Sequence, residues 1–364
     1  KFGEFLEKTG LARWRDAGLG ARELQQKFDE VMLTRTAKEW EDFCADIGTE
    51  GVICHTSAEW LEHAQALQSQ IIAVYEDPRL GRFRGPGINV RLAKTAGAVR
   101  MPRPEPDAHR ADILSECEGR MAANPEPMEQ GLRAAFQGVK VLDLCIVLSG
   151  PTSGRTLAEF GADVIKIDNP HSAKVLRHND VNRGKRSILL DLKNEEGLRI
   201  FWNLVDWADV IVQNFRTGVA EKLGIGYEAV RARRPGIIYA SMNTFGQSGP
   251  FSGRPGHEGI AQAATGMQVR YGSRKPASAP FPGNDYGTGL MGCYGIALAL
   301  WHRQRTGEGQ FVDSALAYTA TMLQSHIMQD HAGKTWNEPH GQEALGEGSL
   351  YRAYRASDGW LFLA

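Results

Sequence analysis

The chain has 364 residues, with 42 Lys and Arg against 43 Asp and Glu and a formal net charge of −1. That balance argues against a nucleic-acid or acidic-membrane binder, because such partners leave a basic excess on the domain that meets them. With 42% hydrophobic and 23% charged residues the composition is globular, and the length fits about two domains.

The N-terminal KFGEFLEK is charged from its first residue and has no apolar core of a signal peptide. Because the chain begins at Lys1 and not at Met, a fragment of a longer protein is expected. Leu24, Phe28, Val31 and Met32 recur at helical spacing. Thr36-Ala-Lys-Glu39 is then a capping box that opens a helix carrying Trp40, Phe43 and Ile47, stopped by Gly48. A short strand is predicted over Gly51 to His55, followed by a helix capped by Ser57 and carrying Trp60, Leu61 and Ala64. From Asp77 to Arg100 glycines and prolines alternate with short β-like runs. Pro102, Pro104, Pro106, Pro125 and Pro127 then sit among charges and small residues, which predicts a domain boundary over residues 102–130.

Val139 to Val147 is a nearly continuous apolar run, as expected of a strand covered on both faces. A βαβ alternation follows. Gly150-Pro151 opens a helix that Gly161 ends, and Ala162 to Asp168 and Ser187 to Leu192 read as strands. An amphipathic helix runs from Asn194 to Trp207, then a strand over Asp209 to Phe215, a helix around Tyr227 to Arg233 and a strand over Gly236 to Met242. The predicted fold class is α/β with a parallel, Rossmann-like sheet. The longest uncharged stretch, Tyr286 to Trp301, is shorter than the roughly 18–20 residues of a membrane span and reads as a buried core helix. Cys44, Cys54, Cys117, Cys145 and Cys293 include no C-x-x-C pair, so neither a zinc site nor a disulfide framework is predicted, and a reducing, cytoplasmic setting fits.

A dinucleotide site requires G-x-G-x-x-G after the first strand and an acidic residue after the second. Asp168 meets the second condition, but in Ser149-Gly150-Pro151-Thr152-Ser153-Gly154 a threonine stands where the middle glycine admits a pyrophosphate. Cations and amides cluster near strand ends instead: Asn182 to Ser187, Lys193, Asn214-Phe215-Arg216 and Lys222. Individually each reads as a solvated surface charge. Together they suit a phosphate-rich ligand, with Phe215 placed to cover an adenine ring.

The ordered motifs GVKVLDL (Gly138), SGP (Ser149), FGADVIKID (Phe160), NRGKRSILLDLK (Asn182), ADVIVQNFRTG (Ala208), KLGIGY (Lys222) and RTGEGQFVD (Arg305) resemble the class III CoA-transferase family. This is the carnitine/bile-acid-inducible group, which includes formyl-CoA transferase and 2-methylacyl-CoA racemase. The resemblance implies a Rossmann-like large domain that holds an acyl-CoA substrate, a smaller α/β domain, no tightly bound cofactor and an interlocked dimer. It places CoA contacts on Leu148, Ser149, Leu190, Lys193, Asn214, Phe215, Arg216 and Lys222. Asn169 stands where formyl-CoA transferase has an arginine.

In GNDYGTG, Asp285 matches the family's nucleophilic aspartate, which would form an acyl anhydride and then an aspartyl-CoA thioester as CoA moves to a carboxylic acid. Gly287 and Gly289 would let backbone N–H groups approach the developing oxyanion. An aspartate before a helix is otherwise read as an N-cap. In Pro255-Gly256-His257-Glu258, the glutamate matches an acidic position near the nucleophile, whereas His257 matches the racemase's catalytic histidine. A His257–Asp285 pair across an α-carbon is the racemase alternative, and a CoA-binding half without catalysis is the third.

Residues 1–101 resemble the carboxyl-terminal part of the family, residues 138–335 its large domain and residues 336–364 the opening of its small domain, with 102–137 as linker. That order fits the tail of one copy joined to the head of the next, as in tandem members, or a circular permutant. The expected assembly is therefore a homodimer or an intrachain pseudo-dimer.

Overall fold

The computed structural model describes residues 1–118, 132–171, 179–272, 275–338 and 340–364. Six helices open the chain: α1 (Phe2–Lys8), α2 (Ala12–Asp16), α3 (Ala21–Met32), α4 (Ala37–Ile47), α5 (Ser57–Glu62) and α6 (Ala64–Gln68). Strands β1 (Ile72–Asp77) and β2 (Gly81–Pro86) form an antiparallel hairpin, β3 (Arg91–Leu92) follows, and α7 (Arg110–Cys117) stands where a linker is expected. Pro125 and Pro127 lie outside the described residues.

The alternating region comprises β4 (Lys140–Asp143), α8 (Ser149–Glu159), β5 (Asp163–Asp168), β6 (Arg186–Leu189), α9 (Glu195–Trp207), β7 (Val210–Gln213), α10 (Val219–Lys222), α11 (Tyr227–Arg233) and β8 (Ile238–Asn243). It continues through α12 (Glu258–Ala264), α13 (Met267–Tyr271), α14 (Gly283–Thr306), β9 (Phe311–Ala315) and α15 (Leu316–Leu323). A small antiparallel sheet of β10 (Gly346–Gly348), β11 (Tyr351–Arg355) and β12 (Trp360–Leu363) ends the chain.

The large sheet has the order β3-β9-β8-β7-β4-β5-β6, with every pair parallel except β3 with β9. From β6 to β9 this is the doubly wound order, which reverses between β4 and β7. Successive side chains of these strands enter opposite cores, because a strand's period is two. Val141, Val210 and Val212 pack with Leu157 of α8 and with Ile296 and Ala299 of α14. Leu142 and Ile211 pack with Phe201 and Val205 of α9 and Val230 of α11. Both faces are therefore covered, which is why the strands read as unbroken apolar runs.

The N-terminal region and this sheet share a core. β3 lies against β9 with Arg91 opposite Asp313, and Trp60, Leu61 and Ile71 pack with Phe245, Phe251 and Tyr318. The Trp60 indole donates to Thr321 Oγ1 at 2.9 Å.

Three local expectations are corrected. Gly51 to His55 forms no strand: the Ile53 N–H donates to Glu41 Oε1 at 3.1 Å and the His55 N–H to Ala263 O at 3.1 Å, so a side chain and a helix end replace a ladder. Thr56, and not Ser57, caps α5 through a capping box with Glu59, and the helix breaks at His63 before α6 begins. The strand expected over Val139 to Val147 stops at Asp143, whose carboxylate accepts from the Cys145 N–H at 2.8 Å, and Val147 turns to a φ of 67°.

Lys185, expected among the cations at strand ends, is consumed inside the fold. Its ammonium meets Asp143 Oδ2 at 2.6 Å and the Pro151 carbonyl at 2.8 Å, and the two charged side chains are 1% and 0% exposed. Removing one partner of such a pair strands the other charge without water. Lys185→Met is expected to cost about 3–5 kcal/mol of folding stability, read as a lower urea midpoint at unchanged slope.

Candidate active site

A cavity of about 320 Å³ opens where the strand order reverses, at the carboxyl ends of β4 and β7. Ile146, Val147 and Ser149 reach it from the turn after β4, and Asn214, Phe215 and Arg216 from the turn after β7. The Asn214 amide joins the two turns: its Oδ1 accepts from the Ile146 N–H at 2.9 Å and its Nδ2 donates to the Ile146 carbonyl at 2.7 Å. That clamp sits beside Val147, a β-branched residue in the left-handed region, a conformation costing about 1–3 kcal/mol that only surrounding structure maintains.

Asp285 enters the same cavity from the first turn of α14, three residues after the N-cap Pro282. It is therefore not itself the N-cap. The capping role falls to Glu258 at the start of α12: its Oε2 accepts from the Asp285 N–H at 2.8 Å, and its Oε1 from the Asn284 side chain at 2.7 Å and the Asn284 N–H at 3.3 Å. Gln262 Nε2 donates to the same carboxylate at 2.7 Å. Glu258 thus fixes the backbone that carries Asp285, and it occupies the N–H groups that would otherwise favour a charge at the helix start.

Asp285 is 9% exposed. Burial, and secondarily the Glu258 charge, push its pKa up to about 6, while His257 and the Ser149 hydroxyl pull the other way. Opposite, His257 Nδ1 lies 2.7 Å from Glu50 Oε1. That hydrogen bond holds the imidazole above its ordinary pKa against the opposing effect of burial. The cavity therefore contains a desolvated carboxylate and a histidine backed by a second carboxylate.

Gly287 and Gly289 have a different role from the expected one. Both lie beyond the first turn of α14, where N–H groups belong to the helix ladder. A Cβ at Gly287 would strike Thr319, and one at Gly289 would strike the Ser149 carbonyl and Thr152. They permit close helix packing.

Of the eleven residues singled out from the sequence, Ser149, Asn214, Phe215, Arg216, His257 and Asp285 line this one cavity. Glu258 stands behind Asp285. Leu148 and Leu190 are buried at 2% and 6% exposure, Leu190 within the core under α9. Lys193 and Lys222 are exposed and outside the cavity lining. Glu50, Val147, Thr244 and Arg254 also line it, and sequence reasoning missed them. Glu50 follows the helix stop at Gly48 with no motif around it. Val147 was hidden inside an apolar run.

The family described as CoA-transferase family III matches residues 4–110 and 136–364. The chain is 34% identical over 251 residues to the succinyl-CoA–L-malate CoA-transferase beta subunit of Chloroflexus aurantiacus, covering 61% of this chain and 62% of that protein. It is 37% identical over 229 residues to the alpha-methylacyl-CoA racemase of Homo sapiens, covering 62% and 59%. Against the CoA-transferase/lyase DddD of Marinomonas sp. it is 32% identical over 360 residues, 93% of this chain and 43% of that protein. The chain thus spans about three fifths of the length of the first two relatives. Among solved structures, a CAIB/BAIF family protein from Brucella suis superposes with a TM-score of 0.55 at 31% identity, covering 64% of this chain and 66% of that one.

The Asp285 environment has a measurable stability consequence. A carboxyl whose pKa rises on folding from 3.8 to about 6 stabilises the fold below pH 4 relative to neutral pH, and that contribution is lost as pH rises through 6. Asp285→Asn should therefore be more stable than the wild type at pH 7.5 by about 2–3 kcal/mol, with the gap closing towards pH 4. Urea unfolding at both pH values reads the difference.

Proposed function

Because the chain belongs to CoA-transferase family III, we propose that Asp285 is the nucleophile of a CoA-transferase reaction. The single observation carrying this reading is the buried Asp285 carboxylate, facing the cavity at the strand-order reversal. Desolvation raises its basicity and leaves it poorly stabilised as an anion, the condition in which a carboxylate attacks an acyl carbon.

The steps balance without an outside reagent. A carboxylate oxygen of Asp285 attacks the thioester carbonyl, the C–S bond breaks, and CoA leaves as thiolate from a mixed anhydride. The thiolate attacks the aspartyl carbonyl, giving an aspartyl-CoA thioester and releasing the first acid as carboxylate. The acceptor carboxylate attacks that thioester, forming a second anhydride and freeing the thiolate again. The thiolate then takes the new acyl group and Asp285 is regenerated.

Ser149, Asn214, Phe215 and Arg216 would meet the CoA moiety, with Phe215 against its adenine. Glu258 would position Asp285. The two matched stretches, and the match to DddD over 93% of this chain but 43% of that protein, support reading the chain as the tail of one family copy followed by the head of another. On that reading the working enzyme is a homodimer or an intrachain pseudo-dimer in the cytoplasm.

A second reading has its own observation. His257, paired with Glu50 and opening on the same cavity as Asp285, supplies the second base that racemisation at an α-carbon needs. Activity assays on a panel of acyl-CoA thioesters and carboxylates separate the two. For the transferase, Asp285→Asn should lose at least about 10³-fold in kcat. His257→Gln should keep transfer within about tenfold, and the α-carbon should take up no solvent deuterium. Deuterium uptake that disappears in either variant, without acyl exchange, would establish the racemase instead.

A further inference from the structure

The loop between β8 and α12, residues 244–257, brings Thr244, Arg254 and His257 to the cavity without regular secondary structure of its own. Its two ends are stapled, as the Thr244 hydroxyl donates to the Gly256 carbonyl at 2.6 Å. Its middle is held from elsewhere. Gln65, at the start of α6 in the N-terminal region, is 0% exposed. Its Nε2 donates to the Phe245 carbonyl at 2.8 Å and to the Ser248 carbonyl at 2.9 Å, and its Oε1 accepts from the Phe251 N–H at 2.6 Å. Both amide protons and the oxygen are thus spent on one loop, and the bonds to Phe245 and Phe251 are buried. Gly249, at φ 87°, passes so close that a Cβ there would lie 2.5 Å from Gln65 Oε1.

We propose that Gln65 is a positioning residue of the active site: its buried amide fixes the course of residues 245–251, so that the same loop presents His257 to Glu50 and Arg254 to the cavity. The chemistry is that of a peptide group supplied by a side chain. A loop without a sheet partner has carbonyls and N–H groups to satisfy, and one glutamine satisfies three. Further ties hold the same loop. Arg254 Nη1 lies 3.5 Å from Glu41 Oε2 and its guanidinium stacks 3.7 Å from the Phe251 ring centroid, while the Thr217 hydroxyl donates to the Ser252 carbonyl at 2.6 Å. Gln65 alone in this set reaches both flanks of the loop's turn. Its loss would leave the loop folded but free to shift, which would loosen His257 from Glu50 and move Arg254 at the cavity wall.

The test uses the full chain and two variants that attack the contact from opposite sides. Gln65→Met keeps the length and loses all three bonds, and Gly249→Ala pushes a methyl group into the amide. Ser57→Ala is the control: it removes a buried hydrogen bond of the same N-terminal region, to Gln324, without touching the loop. The first readout is the His257 titration by NMR, assigned with His257→Gln. It does not depend on which reaction the enzyme catalyses. His257 faces Glu50, Asp285 and Arg216, so its titration reports its distance from Glu50. The expected result is a His257 pKa lower by at least about half a unit in both loop variants, and unchanged in Ser57→Ala.

The second readout rests on the transferase reading: kcat should fall by about two- to tenfold, within the range expected for His257→Gln, with KM for acyl-CoA within about twofold. An unchanged His257 titration in a folded Gln65→Met or Gly249→Ala protein overturns the proposal, as does an equal shift in Ser57→Ala. Should Gln65→Met not fold, Gly249→Ala decides alone. Absence of any CoA transfer by the wild type would overturn the functional reading while the titration still decides the role of Gln65.

Discussion

The placement of one carboxylate depends on how closely α14 approaches the start of α8. Gly289 lies against the Ser149 carbonyl and Thr152, and Gly292 against Met242, at distances that no side chain would allow. The helix start is thereby driven into the strand-order reversal, and Asp285 arrives buried. A helix N-terminus would ordinarily stabilise an anion there. Here Glu258 takes the Asn284 and Asp285 N–H groups first and adds a negative charge of its own. Asp285 is left with the desolvation and without most of the compensation, which accounts for its raised pKa. A group in that condition gains by reacting, since an anhydride or thioester carries no charge to desolvate.

The site is also a joint. The turns after β4 and β7 provide one wall, and Asn214 locks them to each other around the strained Val147. The opposite wall comes from the N-terminal region: Glu50 meets His257, the Gly48 carbonyl accepts from Arg216 at 3.2 Å, and Glu41 lies beside Arg254. Each of these contacts joins stretches well over a hundred residues apart in sequence. The shape of the cavity thus depends on how firmly the N-terminal region sits on the sheet, where β3 on β9 and Trp60 in its buried niche hold it.

What was legible beforehand follows from the range of the interactions. The parallel sheet was readable because both its faces are buried, so β4, β7 and β8 appear as apolar runs, and the α4 capping box was readable because both of its partners lie within four residues. That a ligand belongs at the carboxyl ends of the parallel strands follows from the alternation alone, whereas the reversal between β4 and β7 is seen only in the structure. Lys185 was misjudged with the surface cations because Asp143, 42 residues earlier, decides its fate. Gly51 to His55 has a strand's composition, but its N–H groups find Glu41 and Ala263 before any strand. Glu258 was identified as acidic and near Asp285, yet only the geometry reveals it as a helix cap. Glu50 and Gln65 carry no local pattern, because their partners are distant loops.

The proposed reaction centres on a covalent bond to Asp285, and the most direct measurement seeks that bond. The protein is mixed with acyl-CoA, treated with hydroxylamine or borohydride, digested, and its peptides weighed. An adduct on the peptide containing Asp285, absent from Asp285→Asn, is the predicted result. An unmodified Asp285 under conditions where acyl-CoA is turned over would contradict it.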